Sequence, residues 1–366
     1  MVCYENLDGE ESMRTIINNA TIKNNYLYVF LRDINMLCSI NLLSNEIKLL
    51  GSIPGESFLS KYLVGKMFVY DDVLYFVPHN AKKAWKYNIE TSSWSIWFEI
   101  GECIIDNRVV TGAELQQKFN QAYLYDEKVC MIGFRYPAIV LVDLKTGEIT
   151  YDFTVYKELQ NIDDSIDTYI RHDGYMKDEV IFLPCMKKNY ILKYNLEKQT
   201  GFWIEIGDEN KKYAGITCIN DKYYLVTYLD NEYVIWDGKD NFESDKISPN
   251  DEEVYFGAFC VNNQVVFPGK ENTKTVKIKR DDNSLCYECA YLFYDEIEAG
   301  IIIKQNMDGT IYIYNEEKEI VIDFSIDEDI FIYTENIGIN KEMSRLNVVS
   351  ENNVLDLQLY IKLLGV

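Results

Sequence analysis

Hydrophobic and polar positions alternate in short segments along the chain, and one phrase recurs over most of its length. A turn carrying Asp, Glu or Asn leads into an apolar segment that often ends in Pro. The clearest copies are Asp71–Pro78, Asp178–Pro184 and Asn263–Pro268, and weaker copies start at Asn24, Glu127, Asp221 and Asp308. Successive starts lie 47, 56, 51, 43, 42 and 45 residues apart, by subtraction of these residue numbers. Such regular spacing indicates a repeat architecture.

Each repeat predicts four β-strands. In the second repeat these are Lys66–Tyr70, Val73–Val77, Ala84–Asn88 and Ser93–Glu99. Asp71 and Asp72 make the first tight turn, because Asp and Asn tolerate turn geometry. A second phrase marks the third strand and its turn, in Ile40–Asn45, Val142–Gly147 and Tyr194–Gly201. A strand-rich period of this length predicts an all-β propeller of four-stranded blades. Seven phrase starts predict seven blades, with six as the alternative.

The C-terminal part of the chain is predicted to complete the propeller. The last blade is assigned to Gly300–Lys304, Gly309–Tyr314, Lys318–Phe324 and Asp329–Thr334. Residues 1–366 then form one domain, with about 335–366 as a closing or capping segment. Apolar residues alternate from Leu355 to Leu363, which favours a strand. The same segment also fits a buried helix.

Two inserts are predicted between an outer strand and the next inner strand. The first, Gly101–Gln117, predicts a short helix capped by Thr111 or Gly112. The second, Tyr156–Arg171, carries three Asp residues. Both would lie on the face where propellers usually bind ligands.

The order of apolar strand, turn, Tyr-Asn/Asp-Leu/Ile-x-Thr-Gly and Trp resembles the Kelch-like β-propellers, with Trp94, Trp97 and Trp203 at the Trp position. The resemblance covers most of residues 15–334. The paired glycines usual in Kelch repeats are missing, and the second strand ends in Pro instead. The resemblance implies the fold and is not extended to a function. Kelch-like domains mostly bind proteins, and a minority are enzymes.

Charge, cysteine placement and the N-terminal sequence indicate which partners and which cellular compartment to expect. A net charge of −23 repels phosphate backbones and argues against nucleic acid as a partner. Nine scattered Cys, mostly inside apolar segments, are typical of reduced, buried thiols. The acidic N-terminus lacks the apolar region of a secretory signal, and no apolar run is long enough to predict a transmembrane helix. We therefore expect a cytoplasmic protein without membrane association, and richness in Asn, Lys, Ile and Tyr favours a bacterial source.

No motif assigns a catalytic residue, a metal or a cofactor. The sequence lacks a nucleophile elbow, a phosphate loop, a dinucleotide fingerprint and a zinc-protease motif. It has two His, His79 and His172. Cys286 and Cys289 form a single Cys-x-x-Cys without further nearby ligands. The Asp-rich turns near Asp163 and Asp281 do not match a calcium loop.

The best site prediction is topological. In a propeller, the loop between the second and third strands and the start of the first strand share one face, where functional sites gather. These segments are rich in hydrogen-bonding and basic groups, which suit an anionic or polyhydroxylated ligand or an acidic peptide. The candidate binding residues are Arg32, His79, Asn80, Arg135, Tyr136, Arg171, His172, Lys187, Asn189, Asp230 and Lys270.

Three functions fit this prediction. The first is a non-catalytic module that holds a protein, peptide or glycan-like ligand on the loop-rich face. The second is a propeller enzyme, a lyase or hydrolase, acting on a carbohydrate or modified peptide at the central channel. The third is a structural subunit whose exposed outer strands pair with partners.

Overall fold

The computed structural model describes residues 4–5, 11–12, 16–105, 108–162, 170, 174–228, 230–247, 254–255, 257–261, 264–269, 273–278, 285–287, 291–298, 301–306, 310–314 and 319–322. Within these residues, no helix combines the length and the apolar character needed to cross a bilayer.

Seven four-stranded antiparallel sheets follow one another along the chain, and in each sheet the spatial order of the strands is their order in sequence. The predicted seven-bladed β-propeller of four-stranded blades is thereby confirmed. The strands are, in blade 1, Ile17–Lys23, Tyr26–Leu31, Leu37–Asn41 and Ile47–Gly51; in blade 2, Val64–Tyr70, Val73–Pro78, Ala84–Asn88 and Ser93–Phe98; in blade 3, Phe119–Tyr125, Lys128–Gly133, Ile139–Asp143 and Ile149–Asp152; in blade 4, Tyr175–Lys177, Val180–Pro184, Tyr190–Asn195 and Thr200–Glu205; in blade 5, Tyr213–Ile219, Lys222–Thr227, Glu232–Trp236 and Phe242–Lys246; in blade 6, Phe259–Val261, Gln264–Phe267, Val276–Ile278 and Leu285–Tyr287; and in blade 7, Tyr291–Glu298, Ile301–Asn306, Ile311–Tyr314 and Glu319–Ile322.

In the described part of the chain, two hairpins and one helix lie outside the blades. Tyr4–Glu5 pairs with Glu11–Ser12, and Cys103–Ile105 pairs with Arg108–Val110. A helix, α1, spans Thr154–Ile162 after the last strand of blade 3.

The chain divides into two compact units. One consists of residues 1–100 and 297–366 and contains blades 1 and 2 with the last three strands of blade 7. The other consists of residues 101–296 and contains blades 3 to 6, the 103–110 hairpin and α1.

The recurring Asp and Asn residues make the turn between the first and second strands. In blades 1 to 5, a residue of this turn adopts a left-handed backbone with φ between 51° and 60°: Asn24, Asp71, Asp126, Asp178, Asn220 and Asp221. Asn and Asp are the non-glycine residues that adopt this conformation most readily. The turn phrase read from the sequence is therefore a backbone requirement.

The second recurring phrase is explained by one side-chain hydrogen bond. The Asn or Asp at or just after the end of the third strand accepts, through Oδ1, a backbone N–H from two or three residues further on. This occurs in blades 1 to 5, at Asn41, Asn88, Asp143, Asn195 and Asp237. Such a side chain replaces a backbone acceptor and fixes the turn into the fourth strand. The repeat thus conserves the chemistry of the turn from blade to blade.

In each unit, neighbouring blades pack face to face through apolar side chains. In the first unit, Phe30 of blade 1 meets Phe76 of blade 2 edge-on, with ring centroids 5.8 Å apart. In the second unit, Leu141 of blade 3 and Leu183 of blade 4 belong to one buried cluster that also includes Leu159 of α1. Burying side chains of this size contributes about 1.5–3 kcal/mol each. These contacts stabilise the packing of neighbouring blades within each unit.

Two sequence predictions about individual elements are wrong. The last blade begins at Tyr291, so the segments assigned to its first three strands form its second to fourth strands. Residues 329–334 and the predicted closing segment 335–366 lie outside the described part of the chain. The helix predicted from Thr111 to Gln117 is replaced by a single turn, in which the N–H of Leu115 bonds the carbonyl of Thr111.

Candidate functional site

Four blades share one backbone contact that brings two loops together. The residue at or just after the end of the second strand donates its N–H to the carbonyl of the residue preceding the first strand. The pairs are Arg32 to Ile16, His79 to Leu63, Phe134 to Lys118 and Tyr228 to Lys212, at 2.7 to 2.8 Å. Within each of these blades, the second-to-third loop and the start of the first strand therefore lie side by side, as predicted.

A β-bulge repeats at the same place. The register of the first and second strands shifts near the start of the first strand, between Ile17 and Asn19 in blade 1 and between Val64 and Lys66 in blade 2. Blades 3 and 5 have the same shift. A bulge bends the strand and re-aims its side chains, and bulges are frequent next to functional sites.

In the first unit, three predicted residues surround a residue that sequence reasoning missed. Tyr62 donates its N–H to the carbonyl of Arg32 at 2.8 Å, and its own carbonyl accepts the N–H of Asn80 at 3.1 Å. The Arg32 guanidinium lies 5.7 Å from the centroid of the Tyr62 ring, within cation–π range. The His79 ring meets Tyr62 edge-on at 6.5 Å. We call Arg32, Tyr62, His79 and Asn80 the Tyr62 platform.

Tyr62 has a strained backbone and an exposed side chain. Its φ is +52°, a left-handed value that costs a side chain with a Cβ about 1–2 kcal/mol. Its side chain remains 43% exposed although it is large and apolar. The surrounding hydrogen bonds hold the strained backbone in place. Strain of this kind is concentrated at ligand-binding sites.

Asn35 hydrogen-bonds the loop that precedes Tyr62 and holds it in place. This residue is fully buried, and its Nδ2 donates to the carbonyls of Ile53 at 3.0 Å and Glu56 at 3.2 Å. Its Oδ1 accepts the N–H of Ile53 at 2.8 Å. In turn, Oε1 of Glu56 accepts the N–H of Lys82, two residues after Asn80, at 2.6 Å. The loop that carries Tyr62 is therefore fixed at both sides.

The platform carries a partly neutralised positive charge. Nη2 of Arg32 donates to Oδ2 of Asp33 at 3.2 Å, and each of these side chains is 19% exposed. Nε of Arg32 is buried and makes no hydrogen bond within the described part of the chain. Nδ2 of Asn80 donates to the carbonyl of Lys61 at 3.0 Å. The platform thus combines an exposed ring, a cation and an amide.

Two further predicted residues, Arg135 and Tyr136, belong to blade 3. Arg135 lies in the second unit, at the second-to-third loop of blade 3, where its N–H bonds the carbonyl of Gln117. Tyr136 is fully buried, and burial raises the pKa of its hydroxyl, which stays protonated and donates to the carbonyl of Gly101 at 3.2 Å. It anchors a loop.

In blades 4 and 5, the predicted residues take different positions. Lys187 is exposed. Asn189 is buried, and its Nδ2 donates to the carbonyl of Gly207 at 3.2 Å and to Oε1 of Glu205 at 3.3 Å. Asp230 is exposed beyond the second strand of blade 5. Arg171, His172 and Lys270 lie outside the described residues.

No motif in the sequence identifies Tyr62. The features that distinguish Tyr62 are its left-handed backbone and its exposed ring, and both depend on tertiary contacts. Among the described residues, no group of three or more His, Cys, Asp or Glu side chains is arranged to hold a metal ion.

Solved structures support the fold class. Virginiamycin B lyase from Staphylococcus aureus superposes with a TM-score of 0.55 at 13% identity, covering 84% of this chain and 94% of that chain. A chain of the Mitotic Checkpoint Complex superposes with a TM-score of 0.56 at 9% identity, covering 82% of this chain and 87% of that chain. The extracellular domain of a putative one-component system from B. thetaiotaomicron superposes with a TM-score of 0.55 at 8% identity. The match covers 86% of this chain and 39% of that chain.

These likenesses define the class of protein, a β-propeller, and identities this low show the fold alone. No protein-family model and no curated protein sequence matches the chain.

Proposed function

We propose that the protein is a non-catalytic binding module that holds a protein, peptide or glycan-like ligand on the loop-rich edge of its blades. The observation that carries the proposal is Tyr62, an exposed aromatic residue held in a left-handed backbone beside Arg32 and His79. The fold does not require a tyrosine at this point, because glycine adopts the same backbone without strain.

The chemistry of the platform defines the class of ligand. An exposed tyrosine ring offers a flat apolar face on which a sugar ring or a side chain can stack. The neighbouring Arg32 adds a cation that prefers a carboxylate or phosphate group. We therefore propose a glycan-like or peptide ligand that carries an anionic group.

Further properties belong to the same proposal. The blades are Kelch-like, supported by the Asn/Asp turn after the third strand and by Trp94 and Trp203 in the fourth strands. The protein is cytoplasmic, supported by the burial of the Cys38, Cys130 and Cys185 thiols. It is of bacterial origin, supported by its richness in Asn, Lys, Ile and Tyr. With its net charge of −23, the protein binds neither nucleic acid nor anionic membranes.

An array of oligosaccharides and peptides, acidic and neutral, tests the proposal. Binding to wild type is compared with binding to Tyr62→Ala and to a control variant, Tyr26→Ala. Tyr26 is 41% exposed, against 43% for Tyr62, and it lies at the opposite end of the strand Tyr26–Leu31 from Arg32. We expect acidic members of the array to bind wild type and Tyr26→Ala, and to bind Tyr62→Ala at least about tenfold more weakly. Equal binding by all three proteins, or binding by none, would refute the proposal.

The same samples address the enzymatic alternative. A lyase is among the structural neighbours, and lyase or hydrolase action on a carbohydrate or modified peptide would convert the bound array member into new products. Mass spectrometry of the ligand after incubation distinguishes the two functions. Unchanged mass is expected for a binding module, and product that accumulates with time would replace this proposal with catalysis.

A further inference from the structure

An apolar hairpin projects from the connection between blades 2 and 3. Its strands, Cys103–Ile105 and Arg108–Val110, form a two-stranded antiparallel sheet in which Ile104 is directly opposite Val109. Cys103, on the other face of the hairpin, is buried. The hairpin therefore has an inner face that packs on the protein and an outer face that carries Ile104 and Val109.

Both ends of the connection that contains the hairpin are fixed to the protein. At the start, the Gly101 carbonyl accepts from the Tyr136 hydroxyl at 3.2 Å, and the Gly101 N–H donates to the Tyr151 hydroxyl at 3.1 Å. At the end, the carbonyl of Gln117 accepts the N–H of Arg135 at 3.1 Å. Tyr136 and Arg135 belong to the second-to-third loop of blade 3 and Tyr151 to its fourth strand, so both ends of the connection are held against this blade. The hairpin thus stands on the loop-rich edge of this blade.

Ile104 and Val109 are 66% and 67% exposed. In the described part of the chain, the two hairpin strands pair only with each other, so each has an outer edge with unpaired backbone groups. A pair of exposed apolar side chains beside an open strand edge is a typical site for strand addition. The main chain of the added strand supplies hydrogen bonds, and its alternate side chains pack beside the apolar pair.

Charge selects the occupant. The connecting segment, residues 101–117, contains Glu102, Asp106 and Glu114 against Arg108, and the whole chain has a net charge of −23. Glu102 and Glu114 are exposed. A second copy of this chain would bring two strongly acidic surfaces together, whereas a basic partner would be attracted. We infer that the 103–110 hairpin docks an extended segment of a partner protein in which aliphatic residues alternate with Lys or Arg.

A fluorescent heptapeptide of alternating Lys and Val is the probe, and its binding is measured by anisotropy. The test variant is the double substitution Ile104→Ser with Val109→Ser, which keeps the net charge. The control is Leu43→Ser, which removes an apolar side chain that is 77% exposed in the other unit. Circular dichroism and thermal unfolding verify that both variants are folded.

We expect wild type and Leu43→Ser to bind the peptide alike, and the double variant to bind about tenfold more weakly. A peptide with Glu in place of Lys should not bind. Equal affinity of all three proteins would show attraction to the acidic surface as a whole and would overturn the inference, as would absence of binding. Sedimentation equilibrium provides a further test, since a wild-type dimer that the double substitution dissociates would make a second copy the occupant.

Discussion

Replacing Tyr62 by glycine is expected to leave a protein more stable than replacing it by alanine. In most positions alanine is the more stabilising of the two, because glycine has more conformational freedom to lose on folding, by about 0.4–1 kcal/mol. At Tyr62 the native φ is +52°, where any Cβ is strained and glycine is not. The usual order of the two variants should therefore reverse.

The magnitude follows from two opposing contributions. A Cβ in the left-handed region costs about 1–2 kcal/mol, and this cost remains in Tyr62→Ala but disappears in Tyr62→Gly. The greater freedom of glycine in the unfolded chain offsets about half of it. Both variants lose the same ring contacts with Arg32 and His79. We expect Tyr62→Gly to exceed Tyr62→Ala in unfolding free energy by about 0.5–1 kcal/mol.

Urea unfolding followed by tryptophan fluorescence measures this difference. The matched control is Tyr26, the first residue of the strand Tyr26–Leu31, whose ring is similarly exposed at 41%. There, Tyr26→Ala should be more stable than Tyr26→Gly, because glycine weakens a strand. If Tyr62→Ala equals or exceeds Tyr62→Gly in stability, Tyr62 is not strained and the main reason for assigning it a function is lost.

Three further predictions concern the scaffold. Asn35→Ala removes three hydrogen bonds made by a buried side chain and should lower the unfolding free energy by about 2–4 kcal/mol, measured in urea. Gly133→Ala would place a Cβ 1.8 Å from a backbone oxygen and should lower the unfolding free energy by more than about 4 kcal/mol. The control Gly147→Ala places its Cβ in open space but at a positive φ, and should lower the unfolding free energy by about 1 kcal/mol in the same assay. Burial raises the pKa of Tyr28 to about 12, so the unfolded chain ionises first and stability should fall as pH rises above about 10. Tyr28→Phe should flatten this decline in alkaline thermal unfolding, and an unchanged slope would contradict the assignment.

The repeated turns could be predicted from sequence because their chemistry is local. Asp71 and Asp178 adopt the left-handed backbone within their own hairpins, and Asn88 and Asn195 bond N–H groups three residues away. Residue type alone therefore marks these turns in blade after blade. Sequence reasoning places the last blade one strand late, because acidic residues interrupt the apolar pattern of Tyr291–Glu298.

The candidate site could be predicted only in part. Arg32, His79 and Asn80 follow the second strands, and strand order places them on one edge of the sheets. Tyr62 could not be found in this way, since its backbone depends on contacts between distant segments. Asn35 fixes the loop that precedes Tyr62 by a hydrogen bond to the carbonyl of Ile53, which is 18 residues away in sequence. Tyr136, a polar aromatic residue in a loop, is fully buried, and residue type alone does not reveal this burial.

The most direct test of the account is a double-mutant cycle on the Tyr62 platform, using the array member that binds wild type most tightly. Calorimetry would compare wild type, Arg32→Gln, Tyr62→Ala and the double variant. Because the guanidinium and the ring are in contact at 5.7 Å, each single change should weaken binding about tenfold or more, and the double change should cost less than the two added together. Unchanged affinity in both single variants would show that the ligand binds elsewhere and would contradict the assigned site.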